Sequence, residues 1–261
     1  LSLRSSLNYN WQTSGDSEVI LALHDDFINR GGQTNHQDWI ARLNGMFSFA
    51  LWDANREELI LARDALGIKP LVRCELDGSL LFSSEIKAFH AHESYQPKLD
   101  ETSLALRLSW EYTLDSSTLI EGVHQVRPGT VEVWKLDMHS KPYLDAVTNF
   151  ERQQLAPRSD WNPQVDAKSL LESFTVSVQE RLMADVPVGI VLSGGLDSSL
   201  VAAVASEAAE REGKPVPACW TVAESEDNPD WIAAENVASS LDLVHHQSIM
   251  SEDSFVKDIP S

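Results

Sequence analysis

Hydrophobic and polar residues alternate along much of the first half of the chain, which is the period of strands with one buried face. Segments 45–64 and 70–86 each alternate on both sides of a short polar turn, so two β-hairpins are predicted. The second turn contains Asp77-Gly78, and glycine accepts the positive φ angle of a sharp turn without steric cost. With a further strand predicted over 130–136, the pattern indicates an antiparallel α+β domain.

The second half of the chain has short apolar runs separated by segments with helical spacing. The predicted order is a helix capped by Asp166, strand 189–193, helix 197–210, strand 218–223, helix 229–241 and strand 243–250. Strands that alternate with helices of this length indicate βαβ crossovers. This half is therefore predicted to be an α/β domain with a parallel sheet.

A stretch rich in Pro, Asn, Gln and Ser separates the two patterns and has no clear periodicity. Such a composition is typical of a linker between domains. We therefore expect a first domain at 1–145, a linker at 146–165 and a second domain at 166–261.

The chain of 261 residues carries 40 acidic and 20 basic side chains, a net charge of −20 at pH 7. This charge repels phosphate backbones and anionic lipids, so neither a nucleic acid nor a membrane is an expected partner. No apolar run approaches the roughly 18 residues that span a bilayer, and the first residues lack the features of a signal peptide. Two cysteines fit neither a disulfide framework nor a zinc site, so we expect a cytoplasmic protein.

The sequence "SGGLDSS", residues 193–199, lies between a predicted buried strand and a helix. Gly194 and Gly195 would let the oxygen atoms of a ligand reach the main chain, and the start of the helix supplies aligned N–H donors. The loop has neither the GxxxxGK[ST] spacing nor the lysine of a Walker A loop, so it suits pyrophosphate. Hydroxyl donors are added by Ser193, Ser198 and Ser199.

Asp197 stands among these donors, and its carboxylate would repel a phosphate unless Mg²⁺ bridged the two groups. We therefore assign Asp197 as a metal ligand. The alternative is a Ser/Gly turn in which Asp197 is an ordinary acidic residue of the first helical turn. The residues alone leave both interpretations open.

These residues also carry a family resemblance. The loop resembles the pyrophosphate loop of the ATP pyrophosphatase (adenine nucleotide alpha hydrolase-like) enzymes, and "RLMADVPVGIVLSGGLDSSLVAAV" resembles the glutamine-hydrolysing asparagine synthetases in particular. The segments "TSGDSEVILAL", "RLNGMFSFALWD", "LILARDALGIKPL" and "LLFSSEIKAF" are similar, in that order, to the class II glutamine amidotransferase half of that family. Downstream of the loop, "NPDWIAAENVASSLDLVHH" is similar to a further segment of the synthetase half.

The resemblance implies an αββα amidotransferase fold of the Ntn-hydrolase type for 1–145, incomplete at its N-terminus. For 166–261 it implies an adenine nucleotide alpha hydrolase-like domain, incomplete at its C-terminus. The implied reaction is the ATP-dependent amidation of L-aspartate to L-asparagine through β-aspartyl-AMP, with ammonia from the hydrolysis of L-glutamine. ATP and Mg²⁺ are the implied cofactors, and a homodimer is one open expectation for the assembly.

The resemblance also implies roles for individual residues. Leu192 and Val222 match the positions that hold AMP, where they could form an apolar floor for the adenine ring; two ordinary core residues are an equally good interpretation. Asp16 matches the acidic residue that meets the α-amino group of glutamine, and helix capping is its alternative role. The positions that match the pyrophosphate loop are Ser193, Gly194, Gly195, Leu196, Asp197, Ser198 and Ser199.

The chain departs from the family at the amidotransferase nucleophile. The family uses an N-terminal cysteine, whereas Leu1 stands first here, so no catalytic residue is assigned and we expect an internal piece of a longer protein. Cys74 lies in an alternating strand without a free amine beside it, which favours a structural role. Adjacent His245 and His246 on a strand would point to opposite faces, which disfavours a zinc site.

Other interpretations stay open beside the asparagine synthetase resemblance. A related amidotransferase could adenylate another carboxylate, as β-lactam synthetases do, because the acceptor site is expected beyond Ser261. The polypeptide could also be a non-catalytic nucleotide-binding module. For Arg63, Asp64 and Lys69, which lie in the matched "ARDALGIKPL", a structural ion pair and turn is predicted.

Overall fold

The structure is a computed structural model that describes residues 2–113, 116–150 and 162–250. The chain divides into two compact units, Leu1–Ala156 and Pro157–Ser261. Both units contain helices and sheet, which confirms the mixed α/β organisation expected from the sequence. Within the described ranges, no helix has the length and apolar character needed to cross a membrane.

The first unit contains two antiparallel sheets with helices beside them. Its helices are α1 (Ser2–Ser6), α2 (Glu18–Asn29), α3 (His36–Ile40), a 3₁₀ helix (Ile86–Ala91) and α4 (Glu101–Trp110). Its strands are β1 (Ser48–Asp53), β2 (Glu58–Arg63), β3 (Val72–Leu76), β4 (Ser79–Ser83), β5 (Val123–Gln125), β6 (Thr130–Leu136) and β7 (Pro142–Asn149). The larger sheet has the order β1-β2-β6-β7, and the smaller has the order β4-β3-β5.

Both predicted hairpins are confirmed. In the first, which joins β1 to β2, the Asp53 carboxylate fixes the turn by accepting from the backbone N–H groups of Asn55 and Arg56 at 3.0 and 3.2 Å. In the second, which joins β3 to β4, Asp77 and Gly78 have φ angles of 49° and 75°. The second turn therefore has the left-handed backbone for which the Asp-Gly pair was predicted.

Alternate side chains of β2 and β6 face two different layers. Ile60 and Val133 point into a core that α2 and α3 complete. Leu61 and Trp134 point the other way, where they pack in a cluster that also includes Leu80 of the smaller sheet. The period-two pattern of these strands therefore serves two apolar contacts at once.

A buried ion pair joins the two sheets. The Nε atom of Arg73 on β3 donates to Oε2 of Glu132 on β6 at 2.7 Å, and the same oxygen accepts from Nε1 of Trp134 at 3.0 Å. The Arg73 guanidinium also lies 5.0 Å from the centre of the Trp134 ring.

On the outer face of the smaller sheet, Phe89 of the 3₁₀ helix is buried. The layers of the first unit are thus helix, sheet, sheet and 3₁₀ helix.

Strand β2 begins with a buried carboxylate. Glu58 accepts from Nε of Arg56 at 3.1 Å, and its oxygens lie 3.3 Å from Nε2 of His36 and 3.3 Å from Nζ of Lys135. Because Nε1 of Trp39 donates to Nδ1 of His36, the proton of His36 must sit on Nε2, from which it can be donated to Glu58. The geometry therefore assigns a neutral His36.

The turn predicted after β2 is confirmed, but backbone groups take the place of the predicted ion pair. The Asp64 carboxylate accepts from the backbone N–H groups of Ile68 and Lys69, each at 2.9 Å, and Arg63 donates to the carbonyls of Gly67 and Lys69 at 2.7 and 2.8 Å. Burial alone would raise the pKa of Asp64, but the backbone donors outweigh it and lower the pKa. Both charges are thus satisfied by backbone groups.

The second unit is built around a parallel sheet, as predicted. Its elements are α5 (Pro163–Arg181), β8 (Gly189–Val191), α6 (Leu196–Arg211), β9 (Ala218–Ala223), α7 (Pro229–Ser240) and β10 (His245–Ile249). The strands have the order β10-β9-β8, and both pairings are parallel. The core includes Ile190, Ala202, Cys219 and Ala234, so α6 and α7 cover one face of the sheet.

Helix α5 begins earlier than the predicted cap at Asp166. Its N-cap is Asn162, whose side chain accepts from the backbone N–H of Gln164 at 3.0 Å. Asp166 instead reaches back and accepts from the backbone N–H of Asn162 at 2.8 Å. The prediction was wrong because two good capping residues lie close together, and proline after Asn162 fixes the earlier one as the start.

Secondary structure of both units extends into the predicted linker. Strand β7 continues to Asn149, four residues beyond the expected boundary at 145, because it pairs along its length with β6. At the other end, the cap of α5 also lies within the expected linker. Residues 151–161 of that linker lie outside the described residues.

Acidification is expected to destabilise the first unit. Burial lowers the pKa values of His24 and His36, against the opposing carboxylates of Asp53 and Glu58. In the folded protein the pKa of each histidine lies below its unfolded value of about 6.5. The stability that each neutral histidine contributes is therefore complete above about pH 6.5 and is lost as the pH falls through the folded pKa. The free energy of unfolding should fall by up to about 1.4 kcal/mol per pH unit for each histidine. The free energy of unfolding in urea, measured from about pH 7.5 to about pH 5.5, reports this loss.

His36→Gln should reduce the pH dependence, whereas His139→Gln, a change in an exposed turn, should leave it as it is in the wild type. Equal pH dependence in both variants would contradict the assignment of a neutral buried His36.

Candidate functional site

The glycine loop leads directly from β8 into α6. Gly195 is the N-cap of α6, and its carbonyl accepts from the backbone N–H of Ser199 at 3.0 Å and from Oγ of Ser199 at 2.7 Å. As a glycine, the N-cap offers no side-chain acceptor to the first turn of the helix. The N–H groups at the start of α6 therefore suit an anion, which the partial positive charge of the helix end also favours.

Serine hydroxyls border the same loop. Oγ of Ser193 and Oγ of Ser198 lie 3.0 Å apart. The contacts from the backbone N–H of Ser193 to Oγ of Ser198, and from the N–H of Gly195 to Oγ of Ser193, are both long at 3.4 Å. Because long contacts of this kind are weak, the oxygens of a phosphate could replace them.

The two glycines of the loop have different reasons to be glycine. Gly194 has a φ of 75°, and a Cβ atom there would lie 2.4 Å from both Cβ of Ala233 and the backbone nitrogen of Ala234 on α7. At Gly195, a Cβ atom would meet Oγ of Ser193 at 3.5 Å and nothing nearer. Packing therefore requires glycine at 194, whereas at 195 the described structure leaves room for a side chain.

The prediction that Leu192 and Val222 form one apolar floor is wrong. Leu192 is only 1% exposed and points into the core, whereas Val222 is 58% exposed on the opposite face of β9. Leu192 lies beside Thr221, whose Oγ1 donates to its carbonyl at 2.7 Å, and adjacent strand residues point to opposite faces. Any contact of Leu192 with a nucleotide would have to come from its backbone.

Asp197 is exposed in the first turn of α6. Among the described residues, no group of three or more His, Cys, Asp or Glu side chains is arranged to hold a metal ion. Mg²⁺ in proteins is commonly bound by one or two carboxylates together with the phosphates of a substrate and several waters. Asp197 therefore fits Mg²⁺ as one ligand of an ion shared with a bound phosphate.

Asp16 lies at the surface just before α2. The N-cap of α2 is Ser17, so the alternative role of Asp16 as the cap is not the one observed. Arg4 and Glu18 order the preceding segment through hydrogen bonds to backbone groups of residues 12–15. The Asp16 carboxylate is thus placed on an ordered segment where it could meet an ammonium group.

Cys74, His245 and His246 occupy structural positions. Burial raises the pKa of the Cys74 thiol, which is the opposite of what an activated nucleophile needs. His245 and His246 point to opposite faces of β10, as predicted: His246 stacks on Trp220 with ring centres 4.8 Å apart, and Nε2 of His245 lies 2.8 Å from Oγ1 of Thr221.

Sequence reasoning gave Thr221 no role. Thr221 lies on β9 and is only 4% exposed. Its hydroxyl donates a hydrogen bond to the carbonyl of Leu192, the residue that precedes the loop. The available signal was a threonine at a core position of the strand "ACWTVA", because a buried hydroxyl needs a partner.

Two family models match the chain. Residues 1–144 match the one described as a glutamine amidotransferase domain, and residues 169–261 match the one described as asparagine synthase. Since the first match spans more than half of the 261 residues, the chain belongs to the glutamine amidotransferase domain family. The second match points to the asparagine synthetases within that class.

Individual relatives agree with this placement. The chain is 28% identical over 275 residues to asparagine synthetase (glutamine-hydrolyzing) 3 of Bacillus subtilis (strain 168). The match covers 95% of this chain and 40% of that protein. It is 34% identical over 253 residues to amidase chyE of Penicillium rubens, and this match covers 92% of this chain and 35% of that protein. The chain thus spans two fifths or less of the length of these two relatives.

One solved structure that matches is glutamine phosphoribosylpyrophosphate amidotransferase from B. subtilis complexed with ADP and GMP. The structural match covers 99% of this chain and 47% of the amidotransferase chain. The sequence identity is 14% and the TM-score is 0.36.

Gly194→Ala is expected to lower stability, whereas Gly195→Ala is expected to weaken ligand binding. Gly194→Ala forces a side chain into α7 at a positive φ angle, so it should destabilise the protein by about 1–3 kcal/mol. Gly195→Ala should unfold near the wild-type temperature but bind Mg-pyrophosphate about 10- to 100-fold more weakly, the equivalent of one hydrogen bond to a charged group. Thermal unfolding and calorimetric titration measure the two effects.

Gly213→Ala is the matched control, because Gly213 has a φ of 65° with nothing within 4 Å of an added Cβ atom. It should show the cost of backbone strain alone, with normal pyrophosphate binding. Wild-type affinity in Gly195→Ala would show that no ligand approaches that backbone.

Proposed function

We propose that the protein is a glutamine-dependent amidating ligase of the asparagine synthetase type, which makes L-asparagine from L-aspartate with ATP and ammonia released from L-glutamine. The observation that carries this proposal is the loop at residues 193–199. It joins a parallel strand to a helix whose first turn lacks a side-chain cap, and it contains a glycine that packing does not demand. The family matches on both halves of the chain support the same function.

The loop residues would hold the pyrophosphate portion of ATP. The N–H groups at the start of α6 and the hydroxyls of Ser193, Ser198 and Ser199 would donate to its oxygens, and Asp197 would hold Mg²⁺ against them. ATP would supply the AMP group that activates the β-carboxylate of aspartate as β-aspartyl-AMP, with release of pyrophosphate, before ammonia displaces AMP. Leu192, through its backbone, and Val222 would contact the AMP portion.

The two units would divide the work of this reaction. Residues 1–145 would form a class II amidotransferase domain of the Ntn-hydrolase type, in which Asp16 meets the α-amino group of glutamine. Residues 166–261 would form an adenine nucleotide alpha hydrolase-like domain. The position of the loop, at the carboxyl end of the first strand of a parallel sheet, supports this assignment because such ends bind ligands in open α/β sheets.

We also propose a cytoplasmic location. Cys74 and Cys219 are both buried and unpaired with each other. Free buried thiols fit a reducing compartment, which is also where ATP and free amino acids are available as substrates.

A second candidate is the adenylation of a different carboxylate by the same machinery. The observation that favours it is that one relative, 34% identical over 92% of this chain, is named an amidase and not an asparagine synthetase. Phosphate binding by the loop would be identical in both candidates, so only the acceptor carboxylate separates them.

The intact protein should convert aspartate to asparagine with equal amounts of AMP when ATP, Mg²⁺ and glutamine are present. Asp197→Asn should lower kcat/KM for ATP by about 10- to 100-fold, because it removes a charge from a metal ligand. The control is Asp242→Asn, a change of an exposed carboxylate in the turn after α7, which should leave the rate unchanged.

Formation of AMP with another acid but not with aspartate would establish the second candidate. The absence of AMP with any carboxylate offered would contradict the proposed ligase function.

A further inference from the structure

The residue that precedes the glycine loop is fixed by a side chain. Main-chain pairing between β8 and β9 ends at Val191 and Trp220. One residue further, the N–H of Leu192 donates to the carbonyl of Trp220 at 2.9 Å, and the carbonyl of Leu192 accepts from Oγ1 of Thr221 at 2.7 Å. The Thr221 hydroxyl therefore continues the connection between the strands beyond the last residue pair.

A histidine on the third strand completes a chain of hydrogen bonds. Nε2 of His245 lies 2.8 Å from Oγ1 of Thr221. A hydroxyl has one proton, and Thr221 gives it to the carbonyl of Leu192, so Thr221 must accept from His245. The proton of a neutral His245 is therefore assigned to Nε2. The chain runs from β10 through β9 to the start of the loop.

This hydrogen-bond chain does not depend on the charge of His245. Burial lowers the pKa of His245, Glu235 on α7 acts in the opposite direction, and the neighbouring His246 lowers it further. The Nε2–H donor is present in the assigned neutral tautomer and in the cation alike. The bond to Thr221 can therefore persist in both protonation states.

The planarity of the peptide bond carries this constraint into the loop. The carbonyl of Leu192 and the N–H of Ser193 belong to one peptide unit, so fixing the direction of the first fixes the direction of the second. That N–H makes only a long contact, 3.4 Å to Oγ of Ser198. It is therefore oriented but only weakly engaged, as a donor to a phosphate oxygen should be.

We propose that Thr221 and His245 are positioning residues for the phosphate loop: they hold the Leu192 carbonyl so that the Ser193 N–H faces an anionic ligand. Neither side chain needs to touch that ligand. The inference rests on the proposed function, because it assigns the ligand of this loop as a phosphate group.

The test compares Thr221→Val, which keeps the shape of the side chain and removes the hydroxyl, with Thr221→Ser, which keeps the hydroxyl. Mg-pyrophosphate is titrated into the intact protein by calorimetry. Thr221→Val should weaken binding about tenfold, because a buried carbonyl loses its donor and the loop is no longer held. Thr221→Ser should bind as the wild type does.

Ser206→Ala is the matched control. It removes a buried hydroxyl of the same unit, one that donates to the carbonyl of Ala202 at 2.7 Å on α6, without touching Leu192. It should lower stability but leave binding unchanged. Wild-type affinity in a folded Thr221→Val would overturn the positioning role, whereas absence of binding by the wild type would overturn the proposed function.

A second measurement does not depend on the folding of any variant. The ¹⁵N spectrum of histidine-labelled wild-type protein should show His245 as the Nε2–H tautomer. A neutral His245 with its proton on Nδ1 would overturn the hydrogen-bond chain.

Discussion

The close approach of Gly194 to helix α7 is the constraint on which the candidate phosphate site depends. With no side chain at 194, the backbone can turn at a positive φ angle directly against Ala233 and Ala234. Helix α7 is itself fixed at its start, where the Asn228 side chain accepts from the N–H groups of Asp230 and Trp231. The loop is therefore held between a strand and two helices, and its N–H donors are oriented before any ligand arrives, which lowers the cost of binding.

In the first unit, buried polar contacts connect the layers of the fold. Its two sheets meet through the ion pair of Arg73 and Glu132, and its helical layer meets the larger sheet through the hydrogen bond from neutral His36 to Glu58. A buried charge that has a partner adds little net stability over apolar residues, but loss of that partner leaves the charge uncompensated. We infer that these pairs select which faces come together, while the apolar side chains of β2 and β6 provide most of the burial.

Periodicity was enough to predict the two hairpins and the parallel sheet, because alternation and helical spacing are local properties of a sequence. The facing of Leu192 and Val222 was not predictable in this way, since it depends on the register between β8 and β9. The same limit applies to Gly194 and Gly195, which look alike in the sequence and differ only through the contact with α7. Strand β7 was missed because its side chains alternate poorly and its backbone bonds to β6 define it.

The proposed function requires that the backbone between residues 193 and 199 bind a phosphate group. The most direct measurement is the change of backbone amide resonances when Mg-pyrophosphate is added to the isotope-labelled protein. The largest shifts are expected on the amides of Ser193 to Ser199, with no comparable change in the first unit. Saturable binding that leaves those amides unshifted would contradict the proposed function.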